Sequence, residues 1–99
     1  MINLFQKTPY ELNRGIADRI VKIRKRKKIS QKLLASRSGV SFGSIKRFEQ
    51  TGEISLLSLS KIAIALGIED ELDELFNSVP FESIEEVISE QHRKAKGKV

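Results

Sequence analysis

Three consecutive segments of the sequence each begin with a serine and end with a glycine, and this pattern constrains the fold more than any other feature. The segments span residues 30–39, 41–52 and 55–67. Serine is a favoured helix N-cap, and glycine readily adopts the left-handed conformation that ends a helix. Within these limits apolar residues recur every three or four positions, as on one face of a helix. The pattern therefore predicts three short helices joined by tight turns.

Two further helices are predicted, one before and one after these three. The sequence Thr8-Pro9-Tyr10-Glu11 has the form of a capping box with proline at the first helical position, so a first helix should run from Pro9 to about Lys27. Asp70 is the predicted N-cap of a fifth helix. The predicted apolar positions are Leu12, Ile16, Ile20 and Ile23 in the first helix, Leu56, Leu59, Ile62, Ala63 and Leu66 in the fourth, and Leu72, Leu75 and Phe76 in the fifth. No strand-like alternation occurs before residue 80, so we expect an all-α, five-helix domain over residues 9–77 with a short extension over 78–99.

The composition leaves little material for an active site or a metal centre. The 99 residues suffice for one small domain, and they include no cysteine, one histidine (His92) and no glycine-rich phosphate loop. Disulfides and cysteine-ligated zinc are excluded, and we expect neither a cofactor nor enzymatic activity. No apolar run approaches the ~20 residues of a membrane span, and no secretory signal is recognised, so a cytoplasmic protein without a membrane partner is expected.

Charge is distributed very unevenly along the chain. Between residues 14 and 50, twelve basic side chains stand against only Asp18 and Glu49, whereas between residues 51 and 90 ten acidic side chains stand against only Lys61. The net charge of +5 thus conceals a strongly basic half, which suits a polyanionic partner such as DNA. An alternative for the basic run at residues 24–28 is a solvated helix end, where cations complement the helix dipole.

Only three residues, Ser38, Gly39 and Val40, join the predicted second and third helices. So short a turn favours a crossing of about 90–120°, the geometry of a helix-turn-helix, in which the start of the third helix enters a DNA major groove. The predicted outward positions of that helix are Ser41, Phe42, Gly43, Ser44, Lys46 and Arg47. The alternative interpretation is a helical bundle in which the short turn is incidental, because such patterns are degenerate.

The stretch SQKLLASRSGVSFGSIKRFEQTGEISLLSLSKIAIALG, residues 30–67, resembles the helix-turn-helix of the Cro and phage-repressor (XRE) family. The resemblance extends over about residues 16–76 and implies a domain that binds double-stranded operator DNA as a homodimer. It also implies that Gln31 contacts the DNA backbone and braces the third helix, whose outward residues read bases. By the same resemblance, Glu49 is expected to pair with Arg24 of the first helix. Lys32 is a candidate phosphate contact.

The start of the third helix departs from the family pattern, because many relatives carry Gln, Arg or Ser where Phe42 and Gly43 stand. The ring of Phe42 can contact thymine methyl groups, and the absence of a side chain at Gly43 allows a close approach to the duplex. Lys46 or Arg47 would then read guanine. The alternative is that Phe42 packs onto the core or staples the helix start.

The chain after Pro80 requires a separate interpretation. Residues 81–90 carry the apolar positions Phe81, Ile84 and Val87, and they are compatible with a short amphipathic helix or an edge strand. We expect a homodimer interface or a partner contact at Leu72, Leu75, Phe76, Phe81, Ile84 and Val87. The basic end of the chain either follows DNA phosphates or serves as an inert solubilising tail.

The small size and single domain resemble the antitoxin partners of HipA-type kinase toxins, and the phrases NLFQKTPYEL and SFGSIKRFEQTGEISLLSL carry this second resemblance. It implies a repressor of its own operon that also binds a kinase-type toxin. Two alternatives remain open at this point. One is an autoregulator of phage or stress-response type without a toxin, and the other is a protein-interaction module with a basic face.

Overall fold

The computed structural model describes residues 6–78 and residue 88, and all regular structure within this part of the chain is helical. The helices are α1 (Pro9–Arg26), α2 (Gln31–Ser38), α3 (Phe42–Thr51), α4 (Leu56–Leu66) and α5 (Glu69–Asp73). The predicted all-α helix-turn-helix fold is confirmed. The predictions for Phe81, Ile84 and Val87, and for a helix or strand over 81–90, lie outside the described residues, as does His92.

The serine and glycine signals define the middle three helices as expected. Ser30, Ser41 and Ser55 each accept a hydrogen bond from the backbone N–H three residues further on, and Gly39, Gly52 and Gly67 have φ of 74°, 81° and 72°. At the start of α1, the Thr8 hydroxyl accepts from the backbone N–H of Glu11 while the Glu11 carboxylate accepts from the backbone N–H of Thr8. These bonds satisfy backbone groups that a helix leaves unpaired at its ends.

The core forms where α1, α2, α3 and α4 meet. Its central side chains, each with at most 1% of its surface exposed, are Ala17, Leu34, Ile45, Phe48, Ile62 and Leu66. The turn between α2 and α3 consists of Gly39, Val40 and Ser41, and Val40 is buried between the two helices. Ala35 lies partly buried beside it. The α2–α3 pair is therefore held at a fixed angle by the same core that closes the domain.

Three residues of the predicted apolar stripes are not buried. Leu12 is 54% exposed, Ile16 is 37% exposed and Leu56 is 69% exposed. Each belongs to a genuine apolar stripe, and Ile16 even precedes the fully buried Ala17, so membership of a stripe did not by itself decide burial. Periodicity identifies the face of a helix and does not show how far along that face a partner extends.

The predicted start and contents of the fifth helix also need correction. Its N-cap is Ile68, which has no side-chain cap bond, and Asp70 lies inside the first turn. The Ile68 N–H donates to the Ala63 carbonyl at 2.9 Å in the turn that ends α4, and this bond holds the chain so that α5 begins at the next residue. Because α5 ends at Asp73, Leu75 and Phe76 follow the helix and only Leu72 lies within it.

Candidate nucleic-acid interface

Helix α3 is divided into a buried and an exposed side. Ile45 and Phe48 have 0% and 1% of their surface exposed and anchor the helix in the core. All six outward positions named from the sequence are exposed: Ser41, Phe42, Gly43, Ser44, Lys46 and Arg47. Five of these six lie in the first six residues of α3 and Ser41 is its N-cap, so the free surface of the helix is concentrated at its N-terminal half.

A buried ion pair fixes α3 to α1. Nε and Nη2 of Arg24 donate to the two carboxylate oxygens of Glu49 at 2.7 and 2.9 Å, and the two side chains are 9% and 7% exposed. Nη1 of Arg24 donates to the Ile29 carbonyl at 2.8 Å, and the Gln31 amide donates to Glu49 Oε1 at 2.9 Å. Residues of α1, α2 and α3 thus share one hydrogen-bonded network, and Gln31 braces α3 through Glu49.

Arg14, which the charge pattern assigned to the basic half, serves the fold. Its Nη1 donates to the backbone carbonyls of Glu49, at 3.0 Å, and Gln50, and its Nη2 pairs with Asp18 at 3.0 Å. Arg14 therefore satisfies carbonyls at the C-terminal end of α3, where a cation also complements the helix dipole. Together with buried Arg24, it removes two charges from the twelve that the sequence makes available to a ligand.

Phe42 lies on the surface between two lysines. Its ring is outside the core cluster and 37% exposed, with the ammonium groups of Lys32 and Lys46 at 5.7 and 5.3 Å from the ring centroid. Both distances fall within the range of a cation–π contact. Phe42 belongs neither to the core cluster nor to the residues packed against it, so the interpretation that it packs onto the core is wrong, while a role in stapling the helix start stays a prediction. The ring thus lies close to one lysine of α2 and one lysine of α3.

The N-terminus of α3 is otherwise built from small polar groups. The Ser41 hydroxyl accepts from the Ser44 backbone N–H at 3.1 Å and donates to the Ser44 hydroxyl at 2.7 Å. A Cβ placed on Gly43 would have no atom within 4 Å, so this glycine faces open space. No side chain therefore projects between Phe42 and Ser44, and the helix backbone is accessible there.

Arg47 has a partner that the sequence analysis missed. Its Nε and Nη2 donate to Oε2 of Glu53 at 3.0 and 2.6 Å, and the two side chains are 69% and 61% exposed. Six residues separate them, and the intervening glycine turn at Gly52 reverses the chain, so helical spacing rules do not predict the pair. The signal available in the sequence was a lone acid directly after the C-terminal glycine of a basic helix.

Two negative findings apply to the described part of the chain. Within residues 6–78 and 88, no group of three or more His, Asp or Glu side chains is arranged to hold a metal ion. Among the helices of the same residues, none combines the length and apolarity that crossing a membrane requires.

Of three comparisons with known proteins, one found a match, and that match is a family of helix-turn-helix proteins. No curated protein and no solved structure matches the chain significantly. A family model described as Helix-turn-helix, HTH_3, matches residues 20–72, which include all of α2, α3 and α4 and more than half of the chain. A braced second helix, a tight turn and a third helix with an exposed basic N-terminal half are the parts that this motif uses on DNA. The chain therefore belongs to the XRE-type helix-turn-helix family of DNA-binding transcription regulators.

Proposed function

We propose that the protein is a sequence-specific repressor that inserts the N-terminal half of α3 into the major groove of its operator. The observation that carries this proposal is the division of α3, whose six outward residues are exposed while Ile45 and Phe48 are buried. In this arrangement Phe42, Lys46 and Arg47 face base edges, and Ser41, Gly43 and Ser44 allow the backbone to approach them. Gln31 and Lys32 of α2 contact phosphates at the groove edge.

The exposed basic side chains predict that electrostatic attraction contributes strongly to DNA affinity. Lys32, Lys46 and the exposed run Lys25–Lys28 lie on or next to the helix-turn-helix, whereas the acids of residues 69–74 belong to α5 and the turn after it. A dimer that makes ~6–10 phosphate contacts should lose on the order of 10³-fold or more in affinity between 50 and 200 mM salt. A protein-interaction module with an acidic partner would not prefer one duplex sequence over another.

The experiment compares binding to the DNA upstream of the gene and to a scrambled duplex of equal length at several salt concentrations. We expect tighter binding to the upstream DNA and a steep salt dependence for both duplexes. Lys46→Ala should weaken binding, whereas Lys61→Ala, which removes the same charge from α4, should leave the preference unchanged. A flat salt response, or equal affinity for both duplexes, would contradict the proposal.

The proposed repressor acts as a homodimer, because two-fold operators match two-fold proteins. The described surface that suits self-association is an apolar groove beside α5, lined by Leu56, Ile64, Leu72, Leu75 and Phe76. Leu75 and Phe76 are 52% and 85% exposed and line one groove with the exposed Leu56 and Ile64, and a contiguous apolar patch of this kind is typical of an interaction surface. The segment after Pro80 would extend this interface.

The finer assignment is to an antitoxin that represses its own operon and binds a kinase-type toxin in the cytoplasm. It rests on the resemblance described above and on the separation of two surfaces, a basic one on α2 and α3 and an apolar one with an acidic rim beside α5. Co-expression with the product of the neighbouring gene tests this part. Recovery of a stable complex with a kinase-like protein is expected, and a protein that represses its promoter but never co-purifies with a neighbour would be a plain autoregulator.

A further inference from the structure

The guanidinium of Arg47 is held along only one of its two hydrogen-bonding edges. Nε and Nη2 both donate to a single oxygen of Glu53, Oε2. Arginine carries five N–H groups, so the edge formed by Nη1 and the second hydrogen of Nη2 remains free of Glu53. That remaining edge offers two parallel N–H donors, which can pair with O6 and N7 of guanine in the major groove. The contact with Glu53 therefore leaves one complete donor edge of Arg47 available for a base.

The backbone of Glu53 is itself held in place by the last turn of α3. The Thr51 hydroxyl donates to the Arg47 carbonyl at 2.7 Å and accepts from the Glu53 backbone N–H at 3.1 Å. Glu53 follows the left-handed Gly52, which turns the chain back towards Arg47. Arg47, Thr51 and Glu53 thus close a ring of contacts around one helix end, in which Thr51 holds the backbone of Glu53 and the carboxylate of Glu53 orients the guanidinium.

Stability does not explain this pair. Both side chains are more than half exposed, and exposed ion pairs contribute little to folding because water and salt screen them. A carboxylate beside a DNA-contacting helix also repels phosphates, so Glu53 is expected to weaken non-specific binding. What the pair does provide is orientation, since a flexible arginine must otherwise lose rotamer freedom when it binds a base.

We propose that Glu53 is a positioning and specificity-determining residue, which presents the free edge of Arg47 to a guanine of the operator. The proposal rests on the proposed reading of DNA by α3. Glu53 raises specificity in two ways. It pre-orients Arg47 for the correct base pair, and its negative charge disfavours sequences in which Arg47 gains no base contact.

The test uses the full chain and a duplex that the wild-type protein selects from a random-sequence pool. Each G·C pair of that duplex is replaced in turn, symmetrically in both half-sites, and binding is titrated at fixed salt. Wild type should discriminate at one G·C position by about 5- to 160-fold per half-site, the range expected for a bidentate arginine contact, and by the square of that factor when both half-sites are replaced. Glu53→Gln should lose most of this discrimination and bind scrambled DNA more tightly, with an unchanged unfolding midpoint.

Arg47→Lys, alone and combined with Glu53→Gln, shows whether Glu53 affects discrimination through Arg47, and Glu74→Gln is the control. Arg47→Lys keeps the charge but lacks the fork, so it should lose discrimination at the same position, and adding Glu53→Gln should cause little further loss. Glu74→Gln removes an equal charge at the end of α5 and should retain full discrimination.

Three results would overturn the inference. If Glu53→Gln binds the selected duplex more tightly and discriminates better, Glu53 withholds Arg47 from DNA. If Glu53→Gln keeps the discrimination of wild type at every G·C position, the pair has no role in readout. If the wild-type protein selects no duplex at all, the proposed function fails and this inference fails with it.

Discussion

Gly43 occupies a helical position where packing does not demand a glycine. Its backbone φ is not in the left-handed region, and a Cβ would meet nothing within 4 Å. Glycine lowers helix stability by up to ~1 kcal/mol relative to alanine, so its presence on an open helical surface costs the free protein stability. A close approach of the duplex to α3 would explain that cost.

Gly43→Ala should therefore raise the free energy of unfolding by up to ~1 kcal/mol and weaken operator binding. Denaturant melts and duplex titrations measure the two effects separately. Gly39→Ala is the matched control, since Gly39 also has open space around it but has φ of +74°, so alanine there should destabilise. Unchanged operator affinity in Gly43→Ala would show that α3 does not approach the duplex closely at this point.

Phe42→Ala tests the most unusual residue of the site. Because the ring lies outside the core, the unfolding midpoint should change little, while operator affinity should fall by ~1–3 kcal/mol with relaxed preference at one symmetric position. Lys32→Ala should instead weaken all duplexes together and flatten the salt dependence. A large loss of stability with unchanged sequence preference would assign Phe42 a purely structural role.

Glu49→Ala should be far more destabilising than Glu53→Ala, although each removes one partner of an arginine. Truncation at residue 49 leaves the buried Arg24 guanidinium without its carboxylate and should cost ~3–5 kcal/mol. Glu53→Ala, at an exposed position, should change the free energy of unfolding by no more than ~0.5 kcal/mol. Melts of Glu49→Ala, Arg24→Met and the double variant should be non-additive, and strictly additive effects would contradict the observed contact.

At the scale of the elements, helix caps carry local stability that is independent of the core. The Thr8–Glu11 capping box starts α1 on an exposed surface, and replacing a cap residue with alanine typically costs ~1 kcal/mol, which sets the expectation for Thr8→Ala. The hydrogen bond from the Thr8 backbone N–H lowers the pKa of the Glu11 carboxyl below 4.5, with the Thr8 hydroxyl adding to the effect.

This lowered pKa predicts a pH dependence with a definite sign. A carboxyl with a depressed folded-state pKa stabilises the protein above its unfolded-state value, and that contribution disappears as pH falls through the folded pKa. The melting temperature of Glu11→Gln should thus lie below that of wild type at pH 7, and the difference should shrink below pH 4.5. In a Thr8→Ala background the pH-dependent difference should become smaller without vanishing, because the hydroxyl is lost while the backbone N–H of residue 8 remains, and an undiminished difference would show that the hydroxyl contributes nothing.

At the scale of the whole molecule, opposite charges occupy different parts of the fold. Cations concentrate on and around the α2–α3 pair, whereas α5 and the residue after it carry five acids: Glu69, Asp70, Glu71, Asp73 and Glu74. A symmetric dimer through the α5 groove would bring two such acidic runs near each other. Salt should then tighten the dimer by screening this repulsion, while it weakens DNA binding.

Leu75→Ser should weaken self-association of the full chain without unfolding it, because Leu75 is 52% exposed and lines the groove. Sedimentation at low and high salt gives the dimer dissociation constant for each protein. Leu57→Ser is the control, since Leu57 is 68% exposed on α4 but does not line that groove. Equal weakening by both variants, or none by Leu75→Ser, would place the dimer interface elsewhere.

Local sequence chemistry was sufficient to predict where most helices begin and end. Serine caps and left-handed glycines act within one turn of chain, so the bounds of α2, α3 and α4 follow from neighbours in sequence. The same locality explains one failure. The start of α5 depends on the hydrogen bond between Ile68 and the end of α4. Because no side chain caps this helix, the sequence contains no local signal for its first residue.

Only the tertiary structure decided which apolar side chains are exposed, and which charged side chains pair within the protein instead of remaining available to a ligand. The sequence by itself determined that α3 has an apolar and a basic side, because a helical repeat of 3.6 residues sorts side chains by spacing alone. It did not determine that Arg14 caps α3, that Leu12 and Leu56 remain exposed, or that Glu53 holds Arg47. Each of these depends on which helix ends lie side by side in space, and a pattern of spacing along one chain carries no such information.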